Sequence, residues 1–370
     1  MLAALEDGHA HDDVRVLQYG DSHTASDMGV SAFRRTLQAR FGDGGRGFAA
    51  VGRPWSTYSL DGVHTGMEGA FVSTRGHRGA PASLEGRSGL LGIGVMANQQ
   101  RGRAWDEVAA PASRIELAYA QEPSGGSFDV FIDGTRAGSV STRAPDTKSG
   151  WSVFEVPDAP HRVEVRAAGD GDVVLYGMSL DRSQAGVVVD TLGINGAQVF
   201  TPLRWSEEHF AEQLRHAAPD LVVLAYGTNE SMQPGLTDAA YERGIVDMLG
   251  RVARATPTAS CLLLGPPDMA QHTKGRNDWS TWPRIGEIIA VQKRVADAAG
   301  CAFFDQREAM GGPGSIIQWA SEPEPRANFD RVHLRRSGYT QVGTAFATDL
   351  MRAYDEWRAE RGLPPKMANR

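Results

Sequence analysis

The stretch Val14-Arg15-Val16-Leu17-Gln18-Tyr19-Gly20-Asp21-Ser22-His23 decides how this chain is read. Its first six residues have strand character, and Gly20-Asp21 is a tight-turn pair. A strand that ends in such a turn lifts the next side chain, Ser22, out of the sheet. The backbone N–H groups of a following helix then face the same space, where their positive end favours a developing anion. That helix is expected here: Phe33, Leu37 and Phe41 recur every four residues, with Asp27 in the first turn. Gly-Asp-Ser occurs by chance in many proteins, so the rest of the chain carries the decision.

From Gly186 onward, buried strands alternate with helices. Gly186–Asp190, Leu221–Ala225 and the runs led by Cys261 and Cys301 read as strands. Unbroken apolar stretches of this length suit parallel strands covered on both faces. Glu207–Ala217, Asp238–Ala255, Arg284–Ala299 and Tyr339–Arg361 read as helices, the last capped by Ser337. With Val14–Tyr19 and its helix, five βα units predict an open, doubly wound α/β sheet. This domain spans 1–50 and 183–370.

Residues 51–182 break the rhythm. Their apolar runs alternate with polar residues: Arg114–Ala120, Phe128–Ile132, Trp151–Val156, Arg162–Ala167 and Val173–Ser179. Asp133-Gly134 is a hairpin signal. The segment reads as an inserted β-sandwich, with Trp105 and Trp151 in its core. Gly42-Asp43-Gly44-Gly45-Arg46-Gly47 leads into it and reads as a flexible connector, because no Gly-Lys-Ser/Thr follows to make a phosphate loop.

Composition narrows the function. The chain has 370 residues, 41% hydrophobic and 22% charged, with net charge −7. No lysine or arginine block stands out, so a nucleic-acid partner is not expected. No apolar run approaches the ~18–20 residues that cross a bilayer, and no transmembrane segment is expected. Met1–Asp7 shows neither a basic n-region nor a long apolar h-region, so no signal peptide is visible. Cys261 and Cys301 have no metal-ligand spacing. Buried thiols are their simpler reading, although adjacent strands would bring the two sulfurs together, and a disulfide needs Cβ geometry that spacing does not establish. His9, His11, Asp12 and Asp13 read as solvated tail; no metal or cofactor is expected.

Three further clusters fall where open α/β sheets build sites. Gly193-Ile194-Asn195-Gly196-Ala197 follows one strand, Tyr226-Gly227-Thr228-Asn229-Glu230 ends another, and Asp330-Arg331-Val332-His333 precedes the last helix. Each has a bland reading alone: Gly196 as a turn glycine, Asn229 as a helix cap, Asp330 and His333 as a surface pair. Their joint occurrence with Ser22 is what carries weight. Histidine's pKa suits a general base near neutrality, and a serine hydroxyl needs one. Two residues between Asp330 and His333 let the carboxylate reach Nδ1–H and leave Nε2 for Ser22.

These four blocks, in this order, resemble those of the SGNH (GDSL-type) hydrolases, from Val14 to about Phe41 and from Gly186 to about Tyr354. The resemblance implies a flavodoxin-like sheet and an esterase mechanism. Ser22 is then the nucleophile, His333 its base and Asp330 the residue orienting the imidazole. The backbone N–H of Ser22, the backbone N–H of Gly196 and the Asn229 side chain would form the oxyanion hole. The chain departs from the family at His23, where leucine is usual, and at Glu230, where aspartate is common. His23 reads as a packing or hydrogen-bonding residue.

Tyr19–Thr24, Gly311-Gly312-Pro313-Gly314-Ser315 and the inserted β-domain further resemble bacterial peptidoglycan O-acetylesterases. In these a carbohydrate-binding-module-like, jelly-roll or sandwich domain interrupts the hydrolase. That implies an O-acetylated carbohydrate or small ester as substrate, and a location outside the cytoplasm. A polysaccharide O-acetyltransferase would use the same triad, and a non-catalytic polysaccharide-binding protein would use the fold as scaffold. Trp279 and Trp282, in a loop expected near the site, are candidates to stack on a sugar or acyl group.

Overall fold

The computed structural model describes residues 2–8, 12–74, 86–272 and 278–363. The chain divides into two compact units, one made of 1–43, 185–201 and 219–370, the other of 44–184 with 202–218.

The first unit is built on five parallel strands in the order Val187–Gly193, Val14–Gly20, Leu221–Ala225, Ser260–Gly265, Ala302–Asp305. Numbered along the chain this is 2-1-3-4-5, the flavodoxin-like doubly wound order. Alternate residues explain the layering. Val14, Val16, Val187, Val189, Val223, Ala225, Leu262 and Leu264 share one buried cluster with Phe33, Leu37 and Phe346. Those last three come from helices Met28–Phe41 and Arg336–Glu360, which are locked by Phe33 stacking on Phe346 at 4.3 Å. The opposite-parity residues Leu17, Tyr19, Val188 and Val222 are also buried, as both-faced coverage requires. Helices Asp238–Ala255 and Pro283–Ala299 are tied to each other by the Gln292 amide, which donates to Tyr241 Oη at 2.9 Å.

Several local expectations are corrected. The helix after Ser22 is broken: Ser22–Ala25 is a single turn, and Met28–Phe41 starts afresh. Between them Asp27 takes φ 57° at the N-cap position, and its side chain accepts from Thr191 Oγ1 at 2.5 Å in place of a helix N–H. Ser337 lies inside the last helix, whose N-cap is Arg335. Cys261 and Cys301 form a disulfide, with Cα atoms 4.9 Å apart. Cys261 lies in strand Ser260–Gly265 and Cys301 directly precedes strand Ala302–Asp305. These strands are register neighbours, Leu262 opposite Ala302, which brings the two sulfurs together. Among the described residues, no helix is long and apolar enough to cross a membrane.

In the second unit the hydrogen bonding runs through one nine-stranded antiparallel sheet. Where separate strands were expected at Trp151–Val156 and Arg162–Ala167, a single strand Lys148–Ala167 pairs along Gly102–Gln121. The sequence between looks like a break because it holds Pro157 and Pro160. The register shifts between Val108 and Ala112 and between Ala112 and Arg114. Prolines are tolerated at such bulges, where ladder hydrogen bonds are already missing, and the strands bend there. Beyond the bulge the two arms take different neighbours: 102–108 pairs with Val63–Gly69, and 114–121 with Asp172–Asp181. Tyr119 of the second arm meets Phe128, on strand Ser127–Ile132 which pairs with Val163–Ala167 beside the first arm, edge-on at 5.4 Å, so the folded sheet packs on itself. Asp133 and Gly134, at φ 53° and 81°, make the expected hairpin.

Two segments expected in or beside the hydrolase domain belong to this unit. Gly45–Ala49, whose first three residues read as part of a flexible connector, is a strand paired with Asp172–Asp181, and Arg46 within it is buried. Helix Glu207–Ala217 lies against the antiparallel sheet. Gln213 Nε2 donates to Ser149 Oγ at 2.9 Å, and His216 stacks on Trp151 at 4.0 Å. Trp151 is therefore half-buried under an imidazole, and Trp105 is half-buried under the guanidiniums of Arg103 and Arg162; neither is a core residue.

Candidate active site

Strand register brings the site together. In the parallel sheet Gly20 pairs with Gly193 on one side and Ala225 on the other. Three chains thus leave the sheet side by side, carrying Ser22, Gly196 and Asn229 two, three and four residues later. The approach is close: a Cβ on Gly193 would stand 2.1 Å from the Ala25 backbone nitrogen, so only glycine fits beneath the Ser22 turn. Asp21 caps that turn, its Oδ1 accepting from the His23 N–H at 2.9 Å.

The loop before the last helix supplies the remaining groups. Ser22 Oγ lies 2.9 Å from His333 Nε2, and His333 Nδ1 lies 2.8 Å from Asp330 Oδ2. Asp330 Oδ1 also accepts from the N–H groups of Val332 at 2.9 Å and His333 at 3.0 Å. Burial pushes the Asp330 carboxyl up, but the His333 ring and these two amides outweigh it and hold the carboxyl below its ordinary value. An ionised Asp330 accepts only, so Nδ1 carries the proton and Nε2 is free to accept from Ser22. A hydroxyl, an imidazole and a carboxylate in this line can move a proton off the serine as it attacks a carbonyl.

Gly196 adopts φ 75°, with open space where a Cβ would stand. The Asn229 amide donates to Ala197 O at 2.9 Å, which sets its side chain beside the Gly196 loop. One hydrogen of Nδ2 is used there; the amide has a second. The structure therefore brings all five expected site residues to one end of the parallel sheet.

His23 is not a competing base. Its ring is buried, with Nδ1 3.0 Å from Tyr339 Oη, and its centroid is 5.3 Å from that of His333. Burial, helped by the neighbouring His333, depresses it to about 3, so it stays neutral. Asp21 is buried beneath the turn, and burial pushes its carboxyl up to about 6. Tyr339 escaped the sequence reading because it sits in a helix far along the chain. Of the stacking candidates, Trp282 donates Nε1–H to Ser231 O at 3.1 Å and packs on Met269, Ile285 and Ile289. Trp279 is covered by the Arg331 guanidinium at 4.1 Å. Ser315, at the end of the Gly311–Ser315 piece, starts a short helix after Gly314, whose N–H donates to the buried Asp268 Oδ2 at 2.9 Å. His9 and His11 lie outside the described residues.

The sequence profile of the GDSL-like lipase/acylhydrolase family matches residues 159–341. That match holds Gly196, Asn229, Asp330 and His333, while Ser22 lies before it, on the far side of the inserted residues. No curated protein matches the chain. A solved structure described as a peptidoglycan O-acetylesterase in action is similar, with TM-score 0.76 and 24% identity, over 95% of this chain and 94% of that one. A family two carbohydrate esterase from Clostridium thermocellum, an active-site mutant, gives TM-score 0.31 and 10% identity, over 78% of this chain and 98% of that one. An acetyl xylan esterase gives TM-score 0.32 and 18% identity, over 46% of this chain and 81% of that one.

Proposed function

We propose that the chain, whose residues 159–341 match the GDSL-like lipase/acylhydrolase family, is a carboxylic ester hydrolase that removes O-acetyl groups from a polysaccharide such as peptidoglycan. The observation that carries the reading is the unbroken line from Ser22 Oγ through His333 to Asp330. The similarity to a peptidoglycan O-acetylesterase over nearly the whole of both chains supports the substrate class.

Ser22 Oγ attacks the acetyl carbonyl as its proton passes to His333 Nε2. Asp330 keeps the ring oriented and stabilises the imidazolium that forms. The carbonyl oxygen becomes an oxyanion and is met by the backbone N–H groups of Ser22 and Gly196 and by the Asn229 amide. Neutral donors suit it because they stabilise charge without delivering a proton. The imidazolium protonates the departing sugar hydroxyl, leaving acetyl-Ser22. A water, deprotonated by the same nitrogen, then releases acetate. No step calls for a metal or organic cofactor. The Cys261–Cys301 disulfide supports an oxidising, extracytoplasmic location.

The test is acetate release from O-acetylated peptidoglycan by the purified protein. Ser22→Ala and His333→Ala should each abolish it, and activity surviving in both variants overturns the reading. Supplying oligosaccharide acceptors separates hydrolysis from transfer. Free acetate is expected; acetylated sugar as the main product would assign a transferase.

A further inference from the structure

Glu230 has no direct place in that chemistry, yet it is fully buried, at 0% exposure, in the turn beside Asn229. Its two oxygens go to two different pieces of chain. Oε2 accepts from the Gly227 N–H at 3.0 Å, within the turn that carries Asn229. Oε1 accepts from the Val199 N–H at 2.7 Å, in the loop that carries Gly196. The Asn229 amide crosses the same gap in the other direction, donating to Ala197 O.

We propose that Glu230 is a positioning residue that fixes the spacing between two of the three amide donors around Ser22, those of Gly196 and Asn229. The inference rests on the oxyanion-hole reading above. Burying a carboxyl is costly, so a group placed there must be matched by what it accepts. Here each oxygen meets a backbone N–H that would otherwise be an orphan in the interior. The Gly196 loop needs such an anchor. Its glycine would place a Cβ in open space, and the tie from Gln198 to Gln233 at 2.7 Å is exposed, whereas the two bonds to Glu230 are buried. Donors in an oxyanion hole act only when aimed in advance, and a displacement of about 1 Å at a reacting centre costs on the order of 10²-fold in rate.

The chemistry of the side chain narrows the choice. Aspartate is shorter by about one C–C bond, ~1.5 Å, and from the same backbone cannot reach both N–H groups. Glutamine keeps the length but turns one acceptor into an NH₂ that faces an N–H. Burial pushes the Glu230 carboxyl up to about 7, and the buried Asp21 nearby adds to the rise, while the Val199 and Gly227 amides pull it down. Those two hydrogen bonds favour the ionised form and offset part of the rise that burial causes.

The test uses the full-length protein and an activated acetyl ester, with active sites titrated. Glu230→Gln is expected to lower kcat roughly 10- to 100-fold while KM stays nearly constant. Asn229→Ala is measured alone and combined with it. If Glu230 works through these donors, Glu230→Gln costs much less in the Asn229→Ala background than in the wild type. Should Glu230→Gln not fold, replacing the Val199 amide by an ester removes only that N–H and is expected to lower kcat in the same way. A normal kcat in Asn229→Ala removes the oxyanion-hole reading, and the proposal with it. A reduced kcat in Asn229→Ala beside an unchanged kcat per titrated site in Glu230→Gln removes the positioning role alone.

Discussion

The parallel unit and the antiparallel unit treat their strand ends differently. In the first, Gly20, Gly193 and Ala225 sit side by side in register, and every strand leaves the sheet in the same direction. The loops carrying Ser22, Gly196 and Asn229 therefore gather at one edge. In the second, successive strands reverse, and ends are consumed by turns such as Asp133-Gly134. Particular carboxylates show a related contrast, although buried Asp106 of the antiparallel unit accepts from the Gly52 N–H and buried Asp190 of the parallel unit pairs with Arg15. In the antiparallel unit Glu164 is flanked by Arg162 and Arg166, and Asp129 by Arg136. Beside Ser22, Asp21 and Glu230 are held by backbone N–H groups instead. Parallel topology concentrates chemistry, and it leaves that chemistry dependent on main-chain aim more than on ion pairs.

The largest expected effect lies at the gathered loops. Ser22→Ala and His333→Ala should each lower kcat on an acetyl ester by roughly four orders of magnitude or more. Steady-state assays of each variant measure this, and a smaller loss would blur the contrast between the units. Next comes the covalent tie of the parallel unit. Cys301→Ser opens a loop whose ends are 40 residues apart, which should cost about 4 kcal/mol of stability in denaturant unfolding without reductant. Removing a single amide donor is comparable: Asn229→Ala should lower kcat on the order of 10²–10³-fold.

The two units were unequally legible for the same reason that they differ in function. Strands such as Leu221–Ala225 are short, apolar and flanked by helices, so local periodicity finds them. The site was legible because Ser22, Gly196 and Asn229 each follow their strand within a few residues, while Asp330 and His333 lie just before the last helix. Asp27 was misread because helical spacing cannot show that φ turns positive at 57° before Met28. Strand Lys148–Ala167 was misread because its prolines sit at a bulge, and only the pairing with Gly102–Gln121 reveals the continuity. Helix Glu207–Ala217 was seen at its observed bounds but given to the wrong unit. Amphipathicity says that a face is buried, not against which sheet. Excising 51–182 would therefore strip that helix of Ser149 and Trp151, and would be a poor test of sugar binding by the β unit.

A smaller effect concerns pH. His23 is depressed from 6.5 in the unfolded chain to about 3 in the fold, so the unfolded state binds more protons between these values. Its contribution to stability is complete above 6.5 and is lost as pH falls. Asp21 and Glu230, raised to about 6 and about 7, act oppositely and favour the fold as pH falls. His23→Gln should therefore gain on the wild type as pH drops from 6.5, by roughly 2 kcal/mol at pH 5. Denaturation curves of the two proteins across that range give the difference, and a constant offset would contradict the sign. The smallest expected effect is in the other unit: Trp151→Ala should leave kcat on a small ester unchanged. A clear loss there would break the division of labour.

The central claim is that Ser22 alone is the activated hydroxyl, and covalent trapping addresses it directly. Treated with an arylsulfonyl fluoride, the protein should take up one equivalent, mapped by peptide mass spectrometry to the fragment holding Ser22, and both Ser22→Ala and His333→Ala should fail to label. Stoichiometric labelling at another residue, or undiminished labelling of Ser22→Ala, would contradict the account.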